Sequence, residues 1–244
     1  RRMEQRALGK KDEPIVIEEF PGLDGEVAWD PRPISRSGSE RVIRFAFDYA
    51  KVRQRKSGKP QSVTCVDKSN VTRGCQLFRK IFREFAESNQ DVPVKEAYID
   101  AFTMWLVRNP EDLDIVVLPN MFGDIATDLA SVLQGGMGMS ASANMGPRHM
   151  LFEPVHGSAP KHAGKNIVNP IAMIQSVQMM FEALGFRKKD ETLDICAEIL
   201  QNAIRQHFEE GAPVTYDLGG TASTSDVGEA IAERCERMLK ARFS

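Results

Sequence analysis

The sequence predicts an α/β protein, and three observations carry that prediction. Short apolar runs with strand character alternate with longer stretches whose apolar residues recur at three- and four-residue steps. One run, DIVVLP at 114–119, is apolar almost throughout, as expected of a strand covered on both faces. No self-similar period of twenty to fifty residues stands out, which sets repeat architectures aside. Strands alternating with helices in this way stack into helical layers around a largely parallel sheet.

Taken in order, IVIEEF (15–20) reads as a short strand closed by a Pro-Gly turn, and Pro31 and Pro33 keep the following segment extended. Ser39 opens a helical pattern that runs to about Arg55 on Val42, Ile43, Ala46, Phe47 and Ala50, and Ser-Gly-Lys-Pro (57–60) stops it. SVTCV (62–66) reads as a buried strand ending at Asp67, Lys68, Ser69 and Asn70. Leu77, Phe78, Ile81, Phe82 and Phe85 give the next helix one apolar face. A strand over 94–99 ends at Asp100, and Met104, Leu106 and Val107 suggest a short helix ended by Asn109-Pro110. After strand 114–119, a helix is expected over roughly 124–133. Residues 134–170 are rich in small residues and read as loop, and helices follow over 172–184, 191–208 and 227–239. The change of character near residue 134 suggests two domains, 1–133 and 134–244.

Composition narrows the function. The 244 residues carry 32 Lys and Arg against 34 Asp and Glu, a formal charge of -2. That balance gives no support for a non-specific nucleic-acid binder. The basic stretches at 1–11 and 51–59 lack an aromatic ladder, so no nucleic-acid partner is expected. No run approaches the eighteen apolar residues of a membrane span, and the opening resembles no signal peptide. Cys65, Cys75, Cys196 and Cys235 lie far apart without metal-ligand spacing, which fits a reduced, cytoplasmic setting.

Asp124 and Asp128 are four residues apart on a predicted helix, so both carboxylates emerge on one face. Like charges at that spacing repel unless a cation or proton lies between them, and Mg²⁺ or Mn²⁺ prefers such hard oxygen ligands. Acidic residues also enrich first turns because the helix dipole favours them, and spacing leaves both readings open. Lys68, Asp100 and this pair all follow strand ends, where ligands gather in open α/β sheets. Between 153 and 170, small residues alternate with Glu153, His156, Lys161, His162 and Asn169. Small residues let backbone N–H groups approach a phosphate, although neither a GxGxxG nor a P-loop pattern is present. A serine nucleophile elbow is likewise absent.

PNMFGDIATDLASVLQGGMGMSASANMG (119–146) and FEPVHGSAPKHAGKNIVNP (152–170) closely resemble the β-decarboxylating dehydrogenases. That family includes isocitrate, isopropylmalate, homoisocitrate and tartrate/malate dehydrogenases. ISRSGSERVIRFAFDYA (34–50), VTCVDKSNVTR (63–73) and IDAFTMWLVRNP (99–110) match in the same order, so the resemblance spans roughly 34–239. It implies an isocitrate/isopropylmalate dehydrogenase-like two-domain fold distinct from the ordinary Rossmann fold, with the N-terminal portion missing. Residues 1–133 would then hold the small, dimer-forming domain and 134–244 the C-terminal part of the large, cofactor-binding one.

The resemblance assigns proton transfer to Lys68 and a place beside substrate and nicotinamide to Asn70. It assigns the Mg²⁺ or Mn²⁺ ligands to Asp100, Asp124 and Asp128. Asp100 and Lys68 would serve the partner's site, so a homodimer with shared active sites follows. Glu153, His156, Gly157, Ser158, Ala159, Lys161, His162 and Asn169 would contact the cofactor, with Tyr216 from VTYDL (214–218). Lys161-His162 stands where NAD-using members carry an aspartate, which favours NADP, with NAD the alternative. The arginine expected four residues after Tyr216 is replaced by Gly220. The histidine preceding the motif lysine is Asp67, which places a negative charge beside Lys68. The family's substrate arginines and catalytic tyrosine have no counterpart, so the chain reads as a fragment or a reduced paralogue, inactive by itself. The substrate expected is a 2-hydroxy acid, isocitrate first, with isopropylmalate, homoisocitrate and tartrate/malate as alternatives. A non-catalytic subunit is the competing reading.

Overall fold

The computed structural model describes residues 30–243. The expected strand at 15–20 lies outside them. Helix α1 (Arg36–Ser57) begins at Ser35, whose Oγ accepts the Gly38 N–H at 3.1 Å. It ends at Gly58, which adopts the left-handed conformation (φ 69°) while its N–H bonds back to the Gln54 carbonyl. Three parallel strands follow, β1 (Val63–Asp67), β2 (Val94–Tyr98) and β3 (Ile115–Val117). They pair in the order β2-β1-β3, so β1 is central and every one of its residues is buried. Helix α2 (Arg73–Ser88) connects β1 to β2; α3 (Ile99–Arg108) leaves β2 directly, and α4 (Asn120–Ser131) follows β3.

Alternation along β1 divides the helices between two layers. Val63 and Cys65 join Ile43, Phe47, Phe78, Ile81 and Phe82 in a core under α1 and α2. Val66 joins Ala97, Phe102, Leu106 and Ala126 in a second core under α3 and α4. Phe47 and Phe82 pack tilted at 5.6 Å between ring centroids, so each helix face is locked to the other as well as to the sheet.

The remaining residues build a third core. Strands β4 (Ala141–Met145) and β5 (Met150–Pro154) form an antiparallel hairpin, with Ala141 opposite Pro154 and Met145 opposite Met150. This hairpin lies in the stretch expected to be loop. Helices α5 (Ile171–Lys188), α6 (Glu191–Glu209) and α7 (Thr224–Phe243) complete the unit. Met139, Ile171, Ala203, Ile204, Val227 and Ile231 fill it. The first two cores are thus built from residues before 131, and the third from residues after 138. An ion pair between Lys56 of α1 and Glu182 of α5 bridges the two groups. None of the described helices is long and apolar enough to cross a membrane.

Candidate active site

Parallel pairing puts the carboxyl ends of all three strands on one edge, and the chemically distinctive residues lie there. Lys68 follows β1, and its Nζ lies 2.7 Å from Asp100 Oδ1. Asp100 does not close a strand as expected; β2 stops at Tyr98 and Asp100 occupies the first turn of α3. The Lys68 ammonium holds the exposed Asp100 carboxyl below its ordinary range, mainly through this hydrogen bond. The turn after Lys68 is fixed by its own carbonyl, which accepts from the N–H groups of Val71 and Thr72 at 3.0 and 2.9 Å. Asn70 is exposed within that turn.

Helix α4 starts at Asn120 rather than at 124, because the N–H groups of Phe122 and Gly123 already bond the Pro119 carbonyl at 3.0 Å. Asp124 and Asp128 therefore stand in its second and third turns, away from the N-terminal dipole that offered the alternative account of them. Both are exposed, and Asp124 accepts a 3.1 Å hydrogen bond from Asn120 Nδ2. Within a single chain, no three His, Cys, Asp or Glu side chains among the described residues are gathered to hold a metal ion. The donor set nonetheless suits a hard cation. It comprises three exposed carboxylates whose side-chain partners here are Lys68 and Asn120.

Asp67 corrects an expectation. Its carboxylate is fully buried (0% exposed) and is engaged by Arg79, whose Nε donates to Oδ2 at 2.8 Å. Oδ1 accepts the Ser69 N–H at 2.7 Å. The charge beside the lysine in sequence is thus matched by a guanidinium in space, and it does not act on Lys68 alone. Burial first, and then the Asp67 charge, push the neighbouring Cys65 thiol up, so that cysteine is a packed thiol. Arg79 carries no motif signal, and the sequence reading passed over it.

The segment after β5 holds the expected cofactor residues. His156 Nδ1 lies 2.8 Å from the Gly157 carbonyl, and Gly157, Ser158, Ala159 and Lys161 are exposed. Ala159 takes the left-handed conformation (φ 45°) and opens a 3₁₀ turn over Pro160–His162. A Cβ on Gly157 would meet nothing within 4 Å, so the space above this backbone is open. His162 stacks on Tyr216 at 6.1 Å between ring centroids, and its buried Nδ1 has no protein partner among the described residues. Exposed N–H groups, Lys161 and an unpartnered ring nitrogen beside an exposed tyrosine are chemically suited to a phosphorylated nucleoside. Glu153 accepts from Asn144 Nδ2 at 3.1 Å. Asn169 departs from the expected arrangement. It is buried, its Oδ1 accepts from the Ile171 N–H, and its Nδ2 donates to Asp217 Oδ2 at 3.1 Å. Its carboxamide is thus spent on the fold.

Gly220 has a structural cause. A Cβ there would lie 1.9 Å from the Val214 carbonyl oxygen, because the 213–222 loop folds back on itself. An arginine cannot occupy the position without moving that backbone.

Residues 10–231 match the family described as isocitrate/isopropylmalate dehydrogenase. The chain belongs to that family. The match begins well before residue 34, where the motif resemblance starts, so residues before 34 belong to it too. The chain is 41% identical to homoisocitrate dehydrogenase of Methanocaldococcus jannaschii over 89% of its own length and 59% of that protein's. It is 38% identical to 3-isopropylmalate dehydrogenase of Lactococcus lactis, covering 91% of this chain and 64% of that one. Isocitrate dehydrogenase from Methylococcus capsulatus superposes with a TM-score of 0.77 at 40% identity, over 90% of this chain and 62% of the other. The chain spans about 60% of the length of the relatives it matches. As a family member it has an isocitrate/isopropylmalate dehydrogenase-like α/β fold.

Proposed function

We propose that this chain serves the NAD(P)- and divalent-metal-dependent oxidative decarboxylation of a 2-hydroxy acid, with isocitrate as substrate and NADP as hydride acceptor. The observation that carries the reading is the Lys68–Asp100 pair at the same sheet edge from which α4 presents Asp124 and Asp128. In the reaction a hydride leaves C2 for the nicotinamide, the hydroxyl proton leaves to a base, and CO₂ departs from the β-carbon. Asp100, Asp124 and Asp128 would hold a Mg²⁺ or Mn²⁺ ion, which would supply Lewis acidity toward the substrate oxygens. Asp100 orients Lys68 Nζ by accepting its hydrogen bond, and Lys68 moves a proton at the substrate oxygen or at the carbon that loses CO₂. Asn70 is exposed in the same turn, and in this reading it would contact substrate and nicotinamide. Lys161 and His162 supply the counter-charge and hydrogen bonding that a 2'-phosphate requires.

The site is shared between two copies of the chain in this reading. On α3, Asp100 lies on one stripe with the exposed Met104 and Val107; on α4, Asp124 and Asp128 flank the exposed Met121 and Ile125, with exposed Val132 just beyond the helix end. A carboxylate set into an uncovered apolar stripe is brought to its partners when a second copy covers that stripe. The organising test is a panel of isocitrate, homoisocitrate, isopropylmalate and malate with Mn²⁺ and either nicotinamide, run on the full-length protein. Reduction of NADP with isocitrate is the expected result. No reduction with any acid would overturn the activity, and a clear preference for another acid or for NAD would overturn that part of the assignment.

A further inference from the structure

Arg79 stands on α2, outside every sequence motif, yet its guanidinium is engaged on all sides at the ends of two strands. Nε donates to Asp67 Oδ2 at 2.8 Å and Nη2 donates to the Ala97 carbonyl at 2.8 Å. Nη1 lies 3.7 Å from Glu96 Oε2, and the plane rests on the Tyr98 ring at 4.8 Å from its centroid. Asp67 and Tyr98 face each other in the β1–β2 register as the last residues of those strands. Beyond them the chain turns at once into Lys68 on one side and, two residues on, Asp100 on the other. The Lys68–Asp100 hydrogen bond is therefore the next rung after the Arg79 bridge.

The second oxygen of Asp67 receives the Ser69 N–H at 2.7 Å, and Gln76 Nε2 holds the Ser69 carbonyl at 3.0 Å, so the turn carrying Lys68 is tied once to the end of β1 and once to α2. A planar, forked cation can satisfy a carboxylate, a carbonyl and an aromatic face together; an ammonium cannot. We propose that Arg79, acting through Asp67 and Tyr98, is a positioning residue that sets the placement of Lys68 against Asp100. The consequence for turnover rests on the function proposed above, whereas the placement itself does not.

The experiment pairs kinetics with a chemical readout of the lysine in the full-length protein. Arg79→Lys keeps the charge and loses the fork. Tyr98→Leu removes only an exposed ring and keeps the idea testable should Arg79→Lys fold poorly. Arg83→Lys, at an exposed pair with Glu96, is the control. Each is treated with acetic anhydride, and modification of Lys68 is read by mass spectrometry against that of Lys80. In Arg79→Lys, and more weakly in Tyr98→Leu, Lys68 becomes severalfold more reactive, while Arg83→Lys matches the parent. Turnover in Arg79→Lys falls on the order of tenfold to a hundredfold with the dinucleotide KM unchanged, the scale expected of a catalytic group misplaced by about an ångström. Unchanged Lys68 reactivity in both folded variants would overturn the proposal, whatever turnover does. Raised reactivity with undiminished turnover would leave the bridge standing and remove Lys68 from the chemistry, which separates the two ideas.

Discussion

Asp67 follows Val66 into the sheet and precedes a lysine, yet its charge is answered from a helix twelve residues on. Removing that answer leaves a carboxylate buried without its counter-charge. Arg79→Met is therefore expected to cost about 3–5 kcal/mol of stability, measured by urea unfolding. Replacing Asp67 and Arg79 together should cost less than the two single losses combined. Asp124→Asn keeps the Asn120 contact within reach and removes one anionic ligand. It is expected to weaken Mn²⁺ binding in titration calorimetry and to abolish decarboxylation, and unchanged affinity would remove Asp124 from the metal set. Residue identities at the strand ends were legible in the sequence because the motifs are dense there. Which of two adjacent side chains faces the site was not, since the answer depends on Arg79 reaching across from another element. Asn169 shows the same limit: a residue type suited to ligand contact is consumed by Asp217 from far along the chain.

The βα alternation through residue 131 was readable because its apolar residues keep helical or buried-strand patterns. The β4–β5 hairpin escaped because its strands read ASANM and MLFEP, with neither β-branched residues nor clean alternation. Its identity comes from pairing and from α5 packed over it. The start of α4 was placed late because Gly123 looked like a boundary, whereas Phe122 is already helical and buried. Element α6 carries its own pH sensitivity. His207 is fully buried, its Nε2 donates to the Pro213 carbonyl at 3.1 Å, and burial followed by the nearby Arg234 lowers its pKa below the ordinary 6.5. The folded state thus holds His207 neutral where the unfolded chain would take a proton, so stability is full above pH 6.5 and declines as pH falls below it. Thermal midpoints of the parent should fall more steeply on acidification than those of His207→Gln; parallel slopes would count against this assignment.

At the scale of the whole molecule, the uncovered stripes on α3 and α4 sit over a core already filled by Phe102, Leu106 and Ala126. Ile125, 56% exposed, and Val107, 61% exposed, gain nothing from the chain's own fold. Ile125→Glu is expected to leave the fold intact and shift the protein to monomer in sedimentation velocity, with turnover lost alongside. A dimer that persists would place the contact elsewhere. The sequence made the family legible before any coordinates, but it could not show that the apolar residues in line with the aspartates on their helices stay exposed. Lastly, Asn166 adopts a left-handed backbone, and its carbonyl and Oδ1 receive the N–H groups of Thr224 and Ser225. The final described helix is thereby fastened at its beginning to the segment that follows Lys161 and His162. Anything that stills that segment would slow amide exchange at the opening turn of α7, making fraying there a gauge of occupancy at a distant loop.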